Sequence, residues 1–199
     1  MFPRQPHPIS TEAYLQAELT SDIKHELING QVYAMAGGSA NHERIAVNIL
    51  RQFSNHLEHQ PCEPFGSDMK VKVGADFFYP DVLVDCHFDE STPYYSDSPV
   101  IIVEVLSKAT RKQDKTIKKL KYFNLPSLQE YLLLEQDYCE IEVFRRSQDW
   151  RSVIYTLGDT FKLESIDLTL TVEAIYQRVN NADRLEFLKS TLLDSDQST

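Results

Sequence analysis

At 199 residues, of which 42% are hydrophobic, the chain has the size and composition of one globular domain, and we expect a single domain over residues 1–199. Its formal net charge of −10 is unfavourable for a nucleic-acid-binding protein, which normally needs clustered Lys and Arg. No apolar run is long enough to cross a bilayer, and the N-terminus MFPRQPHPIS lacks the pattern of a secretory signal. We therefore expect neither export nor contact with a membrane.

The cysteines predict a reducing compartment. Cys62, Cys86 and Cys139 are odd in number, lie far apart and form no CxxC pair. This spacing argues against a disulfide framework and against a structural zinc site. We therefore expect three unpaired cysteines in a cytoplasmic protein.

The N-terminal third predicts a helix, a hairpin and a second helix. Ser10 is placed to cap the helix TEAYLQAEL, and Asn29-Gly30 joins two strand-like runs, HELI and QVYAMA, as a two-residue turn. Glu26 lies in the first of these runs. Gly37-Gly38 then leads into a helix over 41–59, whose apolar stripe is formed by Ile45, Ile49, Leu50, Phe53 and Leu57. His42, in its first turn, is either a capping or surface residue or a ligand, and the former is the commoner case.

Three strands are predicted in the middle of the chain, over 69–73, 77–84 and 100–106. The first alternates apolar residues with lysines and predicts a half-exposed strand. The last is apolar throughout except for Glu104, which predicts a central strand covered on both faces. An acidic segment rich in Ser and Pro, 88–98, is predicted to be a solvated loop.

A strongly basic helix is predicted from about Thr110 to Asn124. We expect Ile117, Leu120 and Phe123 to face the sheet and most of the lysines to face solvent. Residues 108–121 carry seven basic side chains against one acid, whereas the other 185 positions hold 13 basic and 29 acidic residues. One face of the protein could therefore attract a polyanion, although such charge runs are often only solvated helix faces.

The C-terminal part predicts three strands over 128–135, 140–145 and 151–157, which we expect to form a meander at the edge of a sheet. Short strand fragments over 158–170, a helical turn over 172–179 and a helix over 182–193 follow, and residues 194–199 are expected to fray.

The carboxylates of Asp81 and Glu104 are candidates for a metal site. Their strands could be neighbours, and carboxylate oxygens are the ligands that Mg²⁺ or Mn²⁺ prefers. A bound metal of this kind can activate water for phosphodiester hydrolysis, and Lys118 could stabilise the charge that develops. The alternatives are a strand-capping role for Asp81, a buried ion pair for Glu104, and a simple i,i+4 helix pair between Asp114 and Lys118.

Taken together, these motifs resemble the Uma-two type of restriction endonucleases within the PD-(D/E)xK nuclease superfamily. The resemblance covers roughly residues 10–176. The residues that carry it are HELINGQVYAM, His42, Pro80-Asp81, Val103 to Ser107 with Thr110, Asp114, Lys118, Tyr122 and Glu130-Tyr131.

The resemblance implies an α/β (α+β) fold, with a mixed central sheet flanked by helices, and a homodimer. It implies that Asp81 and Glu104 bind Mg²⁺ or Mn²⁺ and that Glu26 completes the site. The superfamily lysine two positions after the glutamate is replaced by Leu106, so Lys118 would have to supply it. A second departure is Lys108, where the family often has proline.

Two functions from different classes follow. The first is a magnesium-dependent endonuclease acting on DNA. Its catalytic residues would be Glu26, Asp81, Glu104 and Lys118, with Gln113, Asp114 and Tyr122 in support and Arg111, Lys112, Lys115 and His42 binding the substrate. The second is a catalytically silent nucleic-acid-binding or assembly module that retains the fold. A metal-independent hydrolase is a weaker third, because no motif marks a pocket for sugars or acyl groups.

Overall fold

The computed structural model describes residues 8–196, with side chains as far as residue 191. The N-terminal residues 1–7 and the last residues of the tail expected to fray, 197–199, lie outside the described part. The helices are α1 (Thr11–Glu18), α2 (Ala40–Leu57), α3 (Arg111–Gln113), α4 (Lys119–Tyr122), α5 (Val172–Ile175) and α6 (Ala182–Asp196). A π-helical segment, Asp114–Lys118, joins α3 to α4.

The strands form three sheets. They are β1 (His25–Ile28), β2 (Gln31–Ala34), β3 (Glu63–Gly66), β4 (Lys70–Val73), β5 (Asp76–Phe78), β6 (Val82–Asp85), β7 (Tyr95–Ser96), β8 (Pro99–Leu106), β9 (Glu130–Glu135), β10 (Glu140–Arg145), β11 (Ser152–Thr156), β12 (Thr160–Leu163) and β13 (Leu168–Thr171). The sheet orders are β11-β10-β9-β8-β6-β3, β2-β1-β5-β4-β7 and β12-β13. In the largest sheet only β8 and β9 run parallel, so the predicted mixed sheet flanked by helices is confirmed.

The six-stranded sheet is covered on both faces. Alternate residues of β8, such as Val103 and Val105, pack with α2 and α5 in one hydrophobic cluster. The intervening residues, such as Ile102 and Leu106, pack with α4 and with β4 and β5 of the five-stranded sheet in another. Glu104 shares the second face by alternation, and this face carries the site described below.

Several predicted elements are confirmed. Ser10 caps α1, its hydroxyl accepting from the backbone N–H of Ala13 at 3.2 Å. Asn29 and Gly30 adopt φ values of 51° and 75° between β1 and β2, as a two-residue hairpin turn requires. The C-terminal meander β9-β10-β11 is also present at the sheet edge.

Among the described residues, none of the helices combines the length and hydrophobicity needed to span a bilayer.

The strand predicted over 77–84 is wrong, because it is two strands in two different sheets. β5 ends at Phe78 and β6 begins at Val82, and Pro80 and Asp81 lie between them. Proline cannot donate a backbone hydrogen bond, so it suits the point where the chain leaves one sheet for the next.

Lys70 of β4 also differs from the prediction of a half-exposed strand, because it is only 6% exposed and donates to the Tyr79 hydroxyl at 3.2 Å.

The orientation predicted for the basic helix is wrong for Ile117 and Leu120, which are 46% and 65% exposed. Phe123 packs against the core as predicted, and the residues that are almost fully buried are Asp114, Lys118 and Tyr122. Apolar periodicity predicts the buried face only where that face is apolar. Here the buried face is a charged network, so the usual rule selects the opposite side.

The cysteine expectation is wrong for two of the three residues. Cys62 and Cys86 form a disulfide. The antiparallel pairing of β3 with β6 places Glu63 opposite Asp85, so the next residues outward face each other. Cys139 is free and 3% exposed, and burial raises its pKa to about 11.

Thiol titration tests this pairing. In denaturant without reductant, we expect one reactive thiol, from Cys139, and three after reduction. The native protein should react slowly at pH 8, because the thiol is buried and protonated. A Cys139→Ser control should show no thiol before reduction, and three thiols in the unreduced denatured wild type would contradict the disulfide.

Candidate active site

A cavity of about 590 Å³ opens where the two larger sheets meet the basic helix. One wall is the segment from Tyr33 to Ser39, and another is the loop from Ser107 to Thr110. The predicted site residues that line the cavity are Glu26, His42, Asp81, Glu104, Gln113, Asp114 and Lys118. These residues come from β1, from α2, from the junction before β6, from β8 and from the basic helix, so the site forms only in the folded chain.

Lys118 lies at the centre of the acidic group. Its Nζ is 2.8 Å from Oε1 of Glu26, 3.1 Å from Oε1 of Glu104 and 3.3 Å from Oδ1 of Asp114. The side chain is 4% exposed. Burial by itself lowers the pKa of Lys118, but the charges of Glu104, Glu26 and Asp114 outweigh it and hold the pKa well above its ordinary value. Lys118 is therefore a charged ammonium inside the protein.

Asp114, Lys118 and Tyr122 are buried on one face of the basic helix. They lie four positions apart, and residues with this spacing are neighbours on a helix surface. The spacing runs through the π-helical segment Asp114–Lys118 and the α-helical turn that follows it. Single π turns often occur at functional sites.

Glu104 is held on one side only. Its Oε1 accepts hydrogen bonds from Lys118 and from the hydroxyl of Tyr122 at 3.0 Å. Within the described residues, its other carboxylate oxygen accepts no hydrogen bond. Tyr122 lies behind the glutamate in the hydrophobic core rather than in the cavity wall.

Glu26 is fixed by three donors. Its Oε1 accepts the backbone N–H of Tyr79 at 3.2 Å and the ammonium of Lys118, and its Oε2 accepts from Nε2 of Gln113 at 2.9 Å. Gln113, the last residue of α3, thus connects the helix to strand β1. This contact orients the carboxylate towards the centre of the site.

Asp81 is held by its neighbours on both oxygens. Oδ2 accepts the backbone N–H of Val105 at 2.6 Å, and Oδ1 lies 3.3 Å from Nε2 of His42. The backbone N–H of Asp81 donates to the carbonyl of Val103 at 3.1 Å, which continues the pairing with β8 by one residue. The carboxylate is therefore attached to the same strand that carries Glu104.

His42 occupies the first turn of α2, and its ring contacts Asp81 through Nε2. Among the described residues, its buried Nδ1 has no hydrogen-bond partner. A Cβ at Gly38 would lie 2.8 Å from this nitrogen, so glycine at this position leaves room for the ring. Burial lowers the pKa of His42, but the hydrogen bond and charge of Asp81, with smaller contributions from Glu43 and Asp114, shift it upward overall.

Acidic side chains outnumber basic ones at the cavity floor. Glu26, Glu104 and Asp114 all contact Lys118, and Asp81 contacts His42 beside them. Burial raises the pKa of Glu104 well above its ordinary value; Lys118 opposes this shift, and the other three acids add to it. Burial also raises the pKa of Asp114, against the opposing charge of Lys118. A buried ion pair for Glu104, or an i,i+4 pair between Asp114 and Lys118, would need only one acid for each base. Neither alternative therefore explains why the acids outnumber the bases here.

The carboxylate oxygens in the cavity suit a divalent cation that binds few protein side chains. Mg²⁺ usually takes one or two carboxylates together with water and substrate oxygens. Asp81 and Glu104 both line the cavity, and Glu104 has an oxygen without a hydrogen bond in the described part of the chain. No group of three or more His, Cys, Asp or Glu side chains among residues 8–191 is arranged to hold a metal by itself.

Arg111, Lys112 and Lys115 lie outside the cavity, and two of them form ion pairs. Arg111 is 2.6 Å from Glu135, and Lys115 is 3.4 Å from the same acid, which is 2% exposed. Lys112 is exposed and does not line the cavity. The structure therefore does not bring Arg111, Lys112 and Lys115 to the acids as a substrate-binding group.

The contacts of two further residues, Leu106 and Tyr79, were not predicted from the sequence. Leu106, where the superfamily has its lysine, is fully buried in the core cluster with Tyr122. Tyr79 lines the cavity and positions Glu26 through its backbone N–H, yet the motif does not single it out. Its position directly before Pro80 is the only signal that could have indicated this contact.

The family model of Uma2, described as "Putative restriction endonuclease", matches residues 11–173. The chain belongs to the Uma2 family. Two relatives from Synechocystis sp. (strain ATCC 27184 / PCC 6803 / Kazusa) are similar over most of their length. The uncharacterized protein slr1290 is 38% identical, with 88% of this chain and 95% of that protein covered. The uncharacterized protein sll1609 is 32% identical, with coverage of 78% and 92%.

A solved structure supports the fold of this Uma2 chain. The crystal structure of "a putative nuclease belonging to DUF820 from Anabaena variabilis ATCC 29413" superposes with a TM-score of 0.73 at 16% identity. The alignment covers 87% of this chain and all of that one. The likeness confirms the predicted nuclease-like fold.

Proposed function

We propose that the chain is a metal-dependent endonuclease that hydrolyses DNA phosphodiester bonds. The observation that carries the proposal is the surplus of carboxylates around Lys118 on the floor of one cavity. Membership of the Uma2 family adds a nuclease context to this chemistry.

Asp81 and Glu104 would hold Mg²⁺ or Mn²⁺, Glu104 through its oxygen without a hydrogen bond. The ion, when bound, lowers the pKa of a water ligand and polarises a phosphate. Lys118 lines the same cavity, and its ammonium can stabilise negative charge that develops on the phosphate. His42 positions Asp81, whereas Gln113 positions Glu26. The residues thus divide into ligands, a charge stabiliser and positioning groups.

The ion pairs of the basic helix count against nucleic-acid binding by Arg111, Lys112 and Lys115 in both the nuclease and the silent module. Arg111 and Lys115 are both engaged by Glu135. A homodimer and a single domain over 1–199 also stay predictions. Sedimentation velocity tests the first, and a single cooperative unfolding transition tests the second.

Nicking of supercoiled plasmid tests the proposal. With Mg²⁺ or Mn²⁺ we expect conversion to open-circle DNA, which EDTA stops. Asp81→Asn should lower the rate about 100-fold or more, because it removes a ligand charge but keeps an oxygen that can accept from Val105. The matched control is Asp22→Asn, at an exposed position away from the cavity, which should leave the rate unchanged.

Absence of metal-dependent cleavage of both the plasmid and an unpaired DNA strand by the wild type would reject the nuclease function. Equal rates in Asp81→Asn and the wild type would instead reject the site assignment. Circular dichroism of each variant separates loss of chemistry from loss of fold.

A further inference from the structure

An aromatic side chain stands next to the acids at the mouth of the cavity. Tyr33 lies on the edge strand β2 and is 46% exposed. It is directly opposite Glu26 in the β1–β2 pairing, and opposed residues project from the same face. The ring therefore lines the cavity beside Glu26 while one side of it is open to solvent.

Positive charge near the mouth is scarce in the part of the chain that the structure describes. Of the seven basic residues in 108–121, four are in ion pairs with acids: Arg111, Lys115, Lys118 and Lys121. Lys108 is exposed, lines the cavity and forms no ion pair within the described chain. Duplex DNA is held by several phosphate contacts at once, typically about six to ten. A single free ammonium at the mouth does not provide such a row.

The acids lie at the bottom of the cavity rather than on an open surface. Glu104 and Lys118 are both 3% exposed, and the cavity has the volume of a small-ligand site. A phosphate must enter this space to reach Lys118. In a paired duplex the base stack restrains each nucleotide, whereas an unpaired strand can turn a base outward onto an aromatic side chain.

We propose that this site takes an unpaired nucleic-acid strand, with one base stacked on Tyr33, the adjacent phosphate inside the cavity and Lys108 beside the backbone. This inference adds a substrate class to the proposed function, and its prediction of cleavage rests on that function. Binding of the strand can be measured without any turnover.

Fluorescence anisotropy with EDTA present measures the binding part. The probes are a labelled DNA strand, the RNA strand of the same sequence, and the blunt DNA duplex. We expect either unpaired strand to bind about tenfold or more tightly than the duplex, and the DNA and RNA arms identify the preferred sugar. Binding of the duplex as tightly as both strands would overturn the inference.

Tyr33 variants test the stacking surface. Tyr33→Ala should weaken binding of the strand about 5- to 100-fold, while Tyr33→Phe, which keeps the ring, should bind almost as the wild type does. Tyr94→Ala is the matched control, because Tyr94 is 55% exposed and does not line the cavity. Equal effects of Tyr33→Ala and Tyr94→Ala would overturn the inference.

The same three probes with Mn²⁺ separate this inference from the proposed function. Strand binding without cleavage of any probe rejects the nuclease function and supports the substrate class. Preferential cleavage of the duplex supports the nuclease function and overturns the substrate class.

Discussion

Replacing Lys118 by methionine is expected to lower the free energy of unfolding by about 3–5 kcal/mol, because it leaves buried carboxylates without their cation. Glu26, Glu104 and Asp114 all contact this ammonium in the folded protein. Urea denaturation followed by circular dichroism measures the loss. Lys189→Met, at an exposed position of α6, is the control and should change stability by less than about 0.5 kcal/mol.

A double variant identifies the origin of this loss. If the cost is unpaired negative charge, Glu104→Gln in the Lys118→Met background should recover part of the stability, because one of the three contacting carboxylates is then neutral. A loss of under about 1 kcal/mol in Lys118→Met, or no recovery in the double variant, would contradict the electrostatic account of the site.

Glu104→Gln is expected to separate metal binding from stability in the otherwise unchanged protein. Calorimetric titration with Mn²⁺ should show binding to the wild type and none to the variant, because a charged ligand is lost. Without metal, the variant should be more stable by roughly 0.5–2 kcal/mol, a common range for stabilising substitutions, because burial and three nearby acids disfavour the charged form of Glu104. The glutamine can still accept from Tyr122.

Glu130→Gln is the matched control for a buried glutamate. Glu130 is 1% exposed and accepts from the backbone N–H of Glu164 at 3.0 Å and the hydroxyl of Ser165 at 2.6 Å, with Arg145 at 3.5 Å. It belongs to a balanced network away from the cavity, so the change should lower stability by about 1–3 kcal/mol and leave Mn²⁺ binding intact. Equal metal binding by Glu104→Gln and the wild type would reject Glu104 as a ligand.

The local elements were predictable because their signals are short-range. A capping serine, an Asn-Gly turn and an unbroken apolar run each determine structure within a few residues. Ser10, Asn29-Gly30 and the strand around Glu104 accordingly have the predicted conformations. Seven of the predicted site residues also line one cavity, whereas Arg111, Lys112 and Lys115 do not, and the roles of all of them stay predictions.

The errors arise where distant segments determine the outcome. The side of the basic helix that is buried depends on Glu26 and Glu104, which lie on separate strands and attract Lys118 inward. Pairing of Cys62 with Cys86 depends on the register of β3 and β6. Neither dependence can be seen in the sequence of the segment itself, so hydrophobic periodicity and cysteine spacing gave the wrong answer.

The π turn over Asp114–Lys118 has a consequence for how this protein can change during evolution. Residues on its outer side, such as Ile117, are exposed and can vary with little effect on the site. A π turn holds one residue more than an α-helical turn over about the same rotation, so removing one residue on its outer side would let the segment relax to an α-helix. The helix beyond the deletion would keep its direction, and Lys118 and Tyr122 would stay on the side of Glu104. Relatives that keep the chemistry should therefore tolerate substitutions and a one-residue deletion on this outer side.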